Sequence, residues 1–265
     1  MSIKQLKSVR RKPGRPVRAE SSGAPASLLS REAILEKAVE MTREEPLSEL
    51  SMVGLARVFG VAPTLIHYYI GSRDDLVSGV VNRYYRERLA RVPPLSGDWR
   101  ADCEGAARKS YEVALDHGGV LRYITSHNRF RLFQKTAPGE KDYGLALFDH
   151  FARIFKTGGF TSEQGALAYH LLMQFVATSA LAAVGHQHPA EHREFVFGQL
   201  KAASPVTHPG AQYLASSFSR IDAKTAFEAG LALHIEGFAS WLEGRIDREL
   251  GRRVSSFPSR ARSKR

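Results

Sequence analysis

The 265-residue sequence has few of the residues that mark several common classes of protein. It contains one cysteine, Cys103, which excludes a disulfide framework, a cysteine-based zinc site and a redox pair. No apolar run follows the basic N-terminus, so we expect no secretory signal, and a reducing, cytoplasmic setting fits. The nucleophile-elbow, phosphate-loop and zinc-protease signatures are also missing. An enzyme is therefore kept only as an all-α alternative without a recognisable motif.

Positive charge is scarce in the body of the chain and concentrated at its two ends. Of the net charge of +11, residues 1–29 hold +6 and residues 252–265 another +6, which leaves about −1 for residues 30–251. Ends rich in Lys and Arg attract polyanions, although a tail that only aids solubility is the alternative. Residues 1–29 are poor in large apolar groups, so we expect a disordered basic arm there and a disordered basic tail over 251–265.

A long uncharged stretch raises the question of a membrane span. No charged residue lies between Glu163 and Glu191, and residues 165–185 are long enough to cross a bilayer. This stretch is rich in alanine, contains several polar residues and stands alone in the chain. We therefore predict a buried or subunit-interface helix and no membrane interaction.

Helical periodicity recurs along the sequence, and no sustained alternation typical of a β-sheet is present. Ser30 and Ser51 are candidate N-caps of two helices, Gly60 lies at a tight turn, and Pro63 suits the first turn of a third helix. Ser72 with Asp75 resembles a capping box that opens a fourth helix. The patterns predict this helix over 73–91 and others over 98–117, 119–127, 141–157, 162–185, 190–203 and 222–248. The predicted fold is all-α: a three-helix helix-turn-helix domain at 30–76, a connecting helix to about residue 92, and a larger helical domain at 95–250.

The third helix has two different faces on a helical wheel. Ile66 and Ile70 fall on a side that can close a core with the second helix. The opposite, outward side carries Thr64, His67 and Tyr68. Residues 60–72 contain no Lys or Arg, yet base edges are read by hydrogen bonds and methyl contacts, for which Thr, His and Tyr suffice. Phosphate neutralisation can come from the basic arm, whose narrow Gly-Arg-Pro core can enter a minor groove.

The stretch LSMVGLARVFGVAPTLIHYYIGSRDDL, residues 50–76, resembles the TetR-like (tetracycline-repressor-like) family of bacterial transcriptional regulators. The matching positions are Ala56, Gly60-Val61, Ile66, Ile70, Ser72-Arg73 and Leu76. The sequence departs from the family pattern at Ala62, where a capping Ser is common, at Leu65, where Thr is common, and at His67, where Tyr is usual.

The resemblance implies a homodimer that binds a palindromic double-stranded DNA operator, represses transcription and leaves the DNA when a small-molecule effector binds. The implied DNA contacts are Ser51, Pro63, Thr64, His67, Tyr68, Tyr69, Arg73 and, in the arm, Arg11, Lys12 and Arg15. The larger domain would bind the effector and dimerise, the latter through a bundle of 162–185 and 227–246 from each subunit. Polar groups on its apolar helices are candidate ligand contacts: Tyr111, Tyr123, His127, His170 and Gln174.

Two further alternatives concern what the protein binds. His186, His188 and His192 form a histidine cluster that could bind a divalent metal, since imidazoles suit zinc or nickel. The cluster lies in a proline-interrupted loop whose geometry the sequence does not determine, and we predict no metal or other cofactor there. A sequence-indifferent nucleic-acid binder, driven by the two basic ends, is the main rival to a regulator that reads sequence.

Overall fold

The computed structural model describes residues 29–126 and 132–244, and the regular structure within these ranges is entirely helical. The all-α prediction is thus confirmed for the described residues. The helices are α1 Arg31–Glu44, α2 Met52–Phe59, α3 Pro63–Ile70, α4 Arg73–Arg91, α5 Trp99–Asp116, α6 Gly118–Ser126, α7 Tyr143–Thr157, α8 Ser162–Val184, α9 Arg193–Ala202, α10 Pro209–Phe218 and α11 Ala223–Leu242, with a 3-10 helix at Pro189–His192.

Helices α1 to α3 form a small unit around a shared apolar core. Leu35, Leu55 and Ile66 are each fully buried, one from each helix. The turn between α2 and α3 bends the chain by 112°, within the range of a helix-turn-helix. Gly60 has φ 64° at this turn, a left-handed conformation in which a side chain would be strained. The predicted three-helix unit is therefore present.

Helix α4 links this unit to the rest of the molecule. Its first turn is closed by the predicted capping box, in which the Ser72 side chain accepts from the Asp75 N–H and the Asp75 carboxylate accepts from the Ser72 N–H. The helix ends at Arg91, just before Pro93 and Pro94, which cannot continue it. It packs on α1 and α3 at one end and on α5 and α7 along its length. Movement of α4 would therefore reach both parts of the protein.

The larger part is a helical layer structure centred on α5, α7, α8 and α11. Phe151, Phe155, Leu172 and Leu231 are fully or almost fully buried where these helices meet. Helices α9 and α10, which follow α8 and precede α11 in the chain, pack chiefly on each other. Helix α8 is long and apolar enough to cross a membrane, but a core helix of a soluble protein passes the same test. One of its faces is buried and the other is exposed.

Two details differ from the sequence prediction. Helix α10 was missed because Pro209 was interpreted as a separator, whereas it occupies the first turn of the helix, where its missing N–H costs nothing. Helix α9 begins at Arg193, three residues later than expected, because a 3-10 helix precedes it. Both differences lie next to a proline. Proline occurs both after the end of one helix and in the first turn of the next, so its presence alone does not distinguish the two.

Candidate DNA-binding surface and effector domain

The outward face of α3 carries the three side chains that the helical wheel placed there. Thr64, His67 and Tyr68 are exposed, and Tyr68 is 80% accessible. Ile66 and Ile70 are buried against the neighbouring helices. An exposed aromatic ring on a helix held by its other face is free to contact a ligand. The predicted two-faced character of this helix is confirmed, while the DNA contacts themselves stay predictions.

The His67 ring is oriented by the end of its own helix. Its Nδ1 lies 3.0 Å from the Gly71 carbonyl oxygen, which can only accept a hydrogen bond. In the neutral ring Nδ1 therefore carries the proton, and Nε2 is an acceptor at an exposed position. An outward acceptor can receive a hydrogen bond from the amino group of adenine or cytosine in the major groove.

The other predicted contacts around α3 have additional structural roles. Ser51 is exposed, but its hydroxyl caps α2 by accepting from the Gly54 N–H at 3.0 Å. Arg73 is exposed and donates to the Ser48 carbonyl at 2.7 Å, which holds it beside the start of α4. Pro63 is exposed at the first position of α3. Tyr69 differs from the rest, since it is half-buried and packs on the core rather than on the outward face.

Part of the predicted site falls outside the described residues. Arg11, Lys12 and Arg15 lie in 1–28, and His127 lies in 127–131. Their predicted roles stay predictions.

The Asp75 carboxylate at the start of α4 has a pKa below its ordinary value. The hydrogen bonds from the Ser72 hydroxyl and backbone N–H are the main cause, and Lys135, at 3.4 Å, adds an attraction. A carboxyl with a lowered pKa in the folded state stabilises the protein above its unfolded-state pKa. That contribution is lost as pH falls through the folded-state pKa.

Asp75→Asn should therefore destabilise the protein by about 0.5–1 kcal/mol near pH 7, because a charge at a helix N-terminus is lost. The difference between wild type and variant should shrink towards zero as the pH falls through the folded-state pKa of Asp75, which lies below the ordinary aspartate value, because the wild-type carboxyl is then itself protonated. Urea unfolding at a series of pH values measures this. A gap that stays constant across the series would show that the charge of Asp75 is not what stabilises the helix start.

The four predicted ligand contacts within the described residues do not form one buried set. Tyr111 and Tyr123 are buried, and the Tyr111 ring stacks on Phe227 with centroids 3.9 Å apart. His170 and Gln174 instead lie on the exposed face of α8, one turn apart. Apolar periodicity identified a helix with one polar stripe, but it could not tell a stripe facing an internal pocket from one facing outward.

The interface between α4, α6 and the end of α1 contains a buried histidine that no sequence pattern selects. His117 is fully buried, and its Nε2 lies 2.7 Å from a carboxylate oxygen of Glu87 on α4. Burial lowers the pKa of His117, although Glu87 opposes the shift. Arg43 of α1 and Arg91 of α4 pair with the same carboxylate. Glu87 thus joins α4 to α1 and to the turn between α5 and α6, at the junction of the two parts.

A second junction lies where the chain between α6 and α7 crosses α4. Asn82 donates to the Lys141 carbonyl at 2.9 Å and accepts from the Tyr143 N–H at 2.9 Å. The neighbouring Arg83, also buried, pairs with Glu32 of α1 and lies 3.6 Å from Glu140. These partners are more than fifty residues apart in the chain, so no sequence spacing predicts them.

The histidine cluster shows no metal-like arrangement. The His186 Nδ1 lies 2.6 Å from a Glu191 oxygen, and the His192 Nε2 lies 2.7 Å from the His186 carbonyl oxygen. In the described ranges, no group of three or more His, Cys, Asp or Glu side chains could hold a metal ion. A surface depression of about 480 Å³ lies on α1 and has a mostly charged lining that includes Glu36, Lys37 and Arg43.

A family model described as "Tetracyclin repressor-like, C-terminal domain" matches residues 93–242, more than half of the chain. The chain belongs to the tetracyclin-repressor-like (TetR) family. The match lies in the part beyond α4, whereas the sequence resemblance rested on the helix-turn-helix. Two separate parts of the chain thus lead to the same family.

Similar proteins agree with this family. An HTH-type transcriptional repressor of Mycobacterium tuberculosis is 29% identical over 87 residues, which cover 32% of this chain and 33% of the relative. The aligned part thus spans about a third of the length of the curated relatives. Apo ActR of Streptomyces coelicolor superposes with a TM-score of 0.66 at 24% identity, covering 79% of this chain and 94% of ActR. The complex of ActR with actinorhodin gives 0.68 at 23% identity, covering 81% and 97%. At these identities, the structures support the fold alone.

Proposed function

We propose that this TetR-family protein is a sequence-specific DNA-binding transcriptional regulator. It acts as a homodimer on a palindromic operator, represses transcription there, and is released when a small-molecule effector binds the larger domain. The observation that carries the proposal is the outward face of α3, where Thr64, His67 and Tyr68 are exposed on a helix anchored by Ile66 and Ile70. A helix presented in this way at a helix-turn-helix can enter a major groove.

A second copy is supported by the exposed faces of the two long helices that pack on each other, α8 and α11. The α8 face is uncharged from Gln164 onward, and Leu167 is exposed on it. On α11, Leu233 is 74% accessible. Two helices from each subunit would bury these side chains in a four-helix bundle, and twofold symmetry would then present two copies of α3 to an inverted repeat. The same burial explains the apolar α8 without a membrane, and we propose a cytoplasmic protein.

Effector release is supported by the position of α4, which contacts both the DNA-binding unit and the larger domain. A ligand that binds one position of α4 more tightly than another shifts the spacing of the two α3 helices. ActR, which shares the fold, has been crystallised with actinorhodin. Membership of a family of regulators, together with the lack of catalytic motifs, favours regulation over an all-α enzyme.

Tyr68→Ala and Thr64→Ala should each change the preferred base at one or two positions of each half-site, with a loss of about 1–3 kcal/mol on the wild-type site. Folding should be unaffected because both side chains are exposed. Sequences selected from random DNA by each variant and by wild type measure the change. Tyr213→Ala is the matched control, since Tyr213 is an equally exposed tyrosine, 84% accessible, on α10.

Deletion of both basic ends, residues 1–29 and 252–265, separates the regulator from its rival. A regulator should keep its preferred sequence but bind more weakly, with a smaller dependence on salt, because phosphate contacts are lost. A sequence-indifferent binder would lose binding altogether on deletion and would select the same pool with Tyr68→Ala as without it.

A further inference from the structure

Arg88, on α4, is a buried cation without a carboxylate partner. Its side chain is 8% exposed, and its Nε has no hydrogen-bond partner. Its one hydrogen bond runs from Nη2 to the Met173 sulfur at 3.4 Å, and a thioether is a weak acceptor. Within the described ranges, no acidic side chain pairs with it. Of the other arginines of α4, Arg83, Arg86 and Arg91 form ion pairs, and the exposed Arg73 donates to the Ser48 carbonyl.

The surroundings of Arg88 are aromatic. Its guanidinium carbon lies 5.5 Å from the Tyr84 ring centre and 5.7 Å from that of Tyr85. Tyr169, one turn before Met173 on α8, lies within electrostatic reach of the guanidinium, and its ring packs edge-on to Phe148 at 4.8 Å. The rings offset part of the positive charge through cation–π attraction. Tyr84 and Tyr85 are buried and Tyr169 is half-buried, so a flat molecule that displaces the Met173 side chain would meet an aromatic surface.

Neither Tyr85 nor Tyr169 supplies a counter-charge. Burial raises the pKa of Tyr85, and it raises that of Tyr169 to about 12, so both are neutral at cellular pH. A guanidinium does not lose its proton in a protein, and buried charges are ordinarily paired. Arg88 therefore keeps a desolvated charge and an unused part of a donor fork whose geometry matches a carboxylate.

We infer that Arg88 anchors the negatively charged group of the effector, and that the effector is an organic anion with an aromatic body. The inference rests on the proposed function, because it names the class of ligand that the larger domain would bind. The carboxylate or phenolate of the ligand accepts from the Nε and Nη groups of Arg88, and its body packs against Tyr84, Tyr85 and Tyr169. The anion replaces Met173 of α8 as the partner of Arg88. The α4–α8 contact therefore changes on binding, and α4 is the helix that begins at the DNA-binding unit.

The experiment compares acids with their neutral amides. Binding of 2-naphthoate and anthraquinone-2-carboxylate, and of the corresponding carboxamides, is measured by calorimetry with the full chain. We expect wild type to prefer at least one acid over its amide by about tenfold or more, the effect of one charge-assisted, bidentate contact. Arg88→Met should abolish this preference while leaving amide binding unchanged, and Arg88→Lys, which keeps the charge but not the fork, should give an intermediate value.

Arg100→Met is the matched control. Arg100 also lies over an aromatic ring, that of Trp99 at 5.1 Å, but it is half-exposed and paired with Glu236. This variant should keep the wild-type preference. Equal binding of acid and amide by wild type, failure of wild type to bind either acid, or an unchanged preference in Arg88→Met would each overturn the inference. If Arg88→Met does not fold, Arg88→Lys is compared with wild type instead. A preference of Arg88→Lys for acid over amide equal to that of wild type would then overturn the inference.

Selection from random DNA separates this inference from the proposed function. Arg88→Met should recover the same DNA sequence as wild type, because Arg88 is not on the α3 surface. A chain that selects a DNA sequence but shows no preference for acids contradicts only the anion site. A chain that prefers acids but selects no DNA sequence contradicts the regulator and leaves the anion site supported.

Discussion

Gly119→Ala should destabilise the protein by roughly 2–3 kcal/mol, as overpacking of a close backbone contact does. A Cβ at this position of α6 would lie 2.5 Å from the Thr42 carbonyl oxygen, and closer still to that of Glu45. Both obstacles are backbone atoms at the end of α1, so neither can rotate away. The Gly119 carbonyl also accepts from the Leu47 N–H at 3.4 Å. The added methyl should push α6 away from α1 and weaken DNA binding as well as folding.

The control for this substitution is Gly198→Ala. Gly198 lies inside α9, is exposed, and would place its Cβ within 4 Å of nothing. Alanine should stabilise that helix by about 0.5–1 kcal/mol, the usual difference in helix propensity. Urea unfolding gives both values, and binding to a selected DNA fragment gives the functional effect. A Gly119→Ala variant as stable as wild type would mean that α6 does not press on α1 as described.

Asn82→Ala should cost about 2–3 kcal/mol of stability, because it leaves a part-buried backbone donor and a part-buried backbone acceptor without partners. Asn82 is 1% exposed, and it alone joins the Lys141 carbonyl and the Tyr143 N–H to α4. Its loss weakens the attachment of the chain before α7 to the helix that begins at the DNA-binding unit and leaves the contact between Arg83 and Glu140. DNA affinity should therefore fall as well, although Asn82 does not lie on the exposed face of α3.

The matched control is Gln212→Ala. The Gln212 amide donates to carbonyls at the end of α9, including that of Ala203 at 2.7 Å, in a hairpin remote from α4. This variant also loses buried or half-buried amide hydrogen bonds, but its DNA affinity should stay at the wild-type value. Equal loss of DNA affinity in the two variants would contradict a special role for the Asn82 contact.

How far the sequence predicts this molecule depends on the range of the interactions involved. The faces of α3 follow from its own eight residues, and the caps at Ser51 and Ser72 need only the next three. These local features were predicted correctly. The prediction missed helix α10 for a local reason as well, because proline occurs both after the end of a helix and in its first turn.

The features of the larger domain depend on partners far apart in the chain. Arg88 looks like any other arginine of α4 until the fold places Met173, and not a carboxylate, beside it. His170 and Gln174 look like pocket residues until α8 turns them outward. A helical wheel gives the direction of a side chain relative to its own helix, but it does not identify which element lies in that direction.

The central claim is that two copies of the outward face of α3 read one DNA site about a twofold axis. Selection of bound fragments from random double-stranded DNA by the purified full chain tests it most directly. The account predicts an inverted repeat whose half-site centres are about one helical turn or a multiple of it apart. Recovery of fragments with no common sequence, or of a single unrepeated site bound by one copy of the chain, would contradict it.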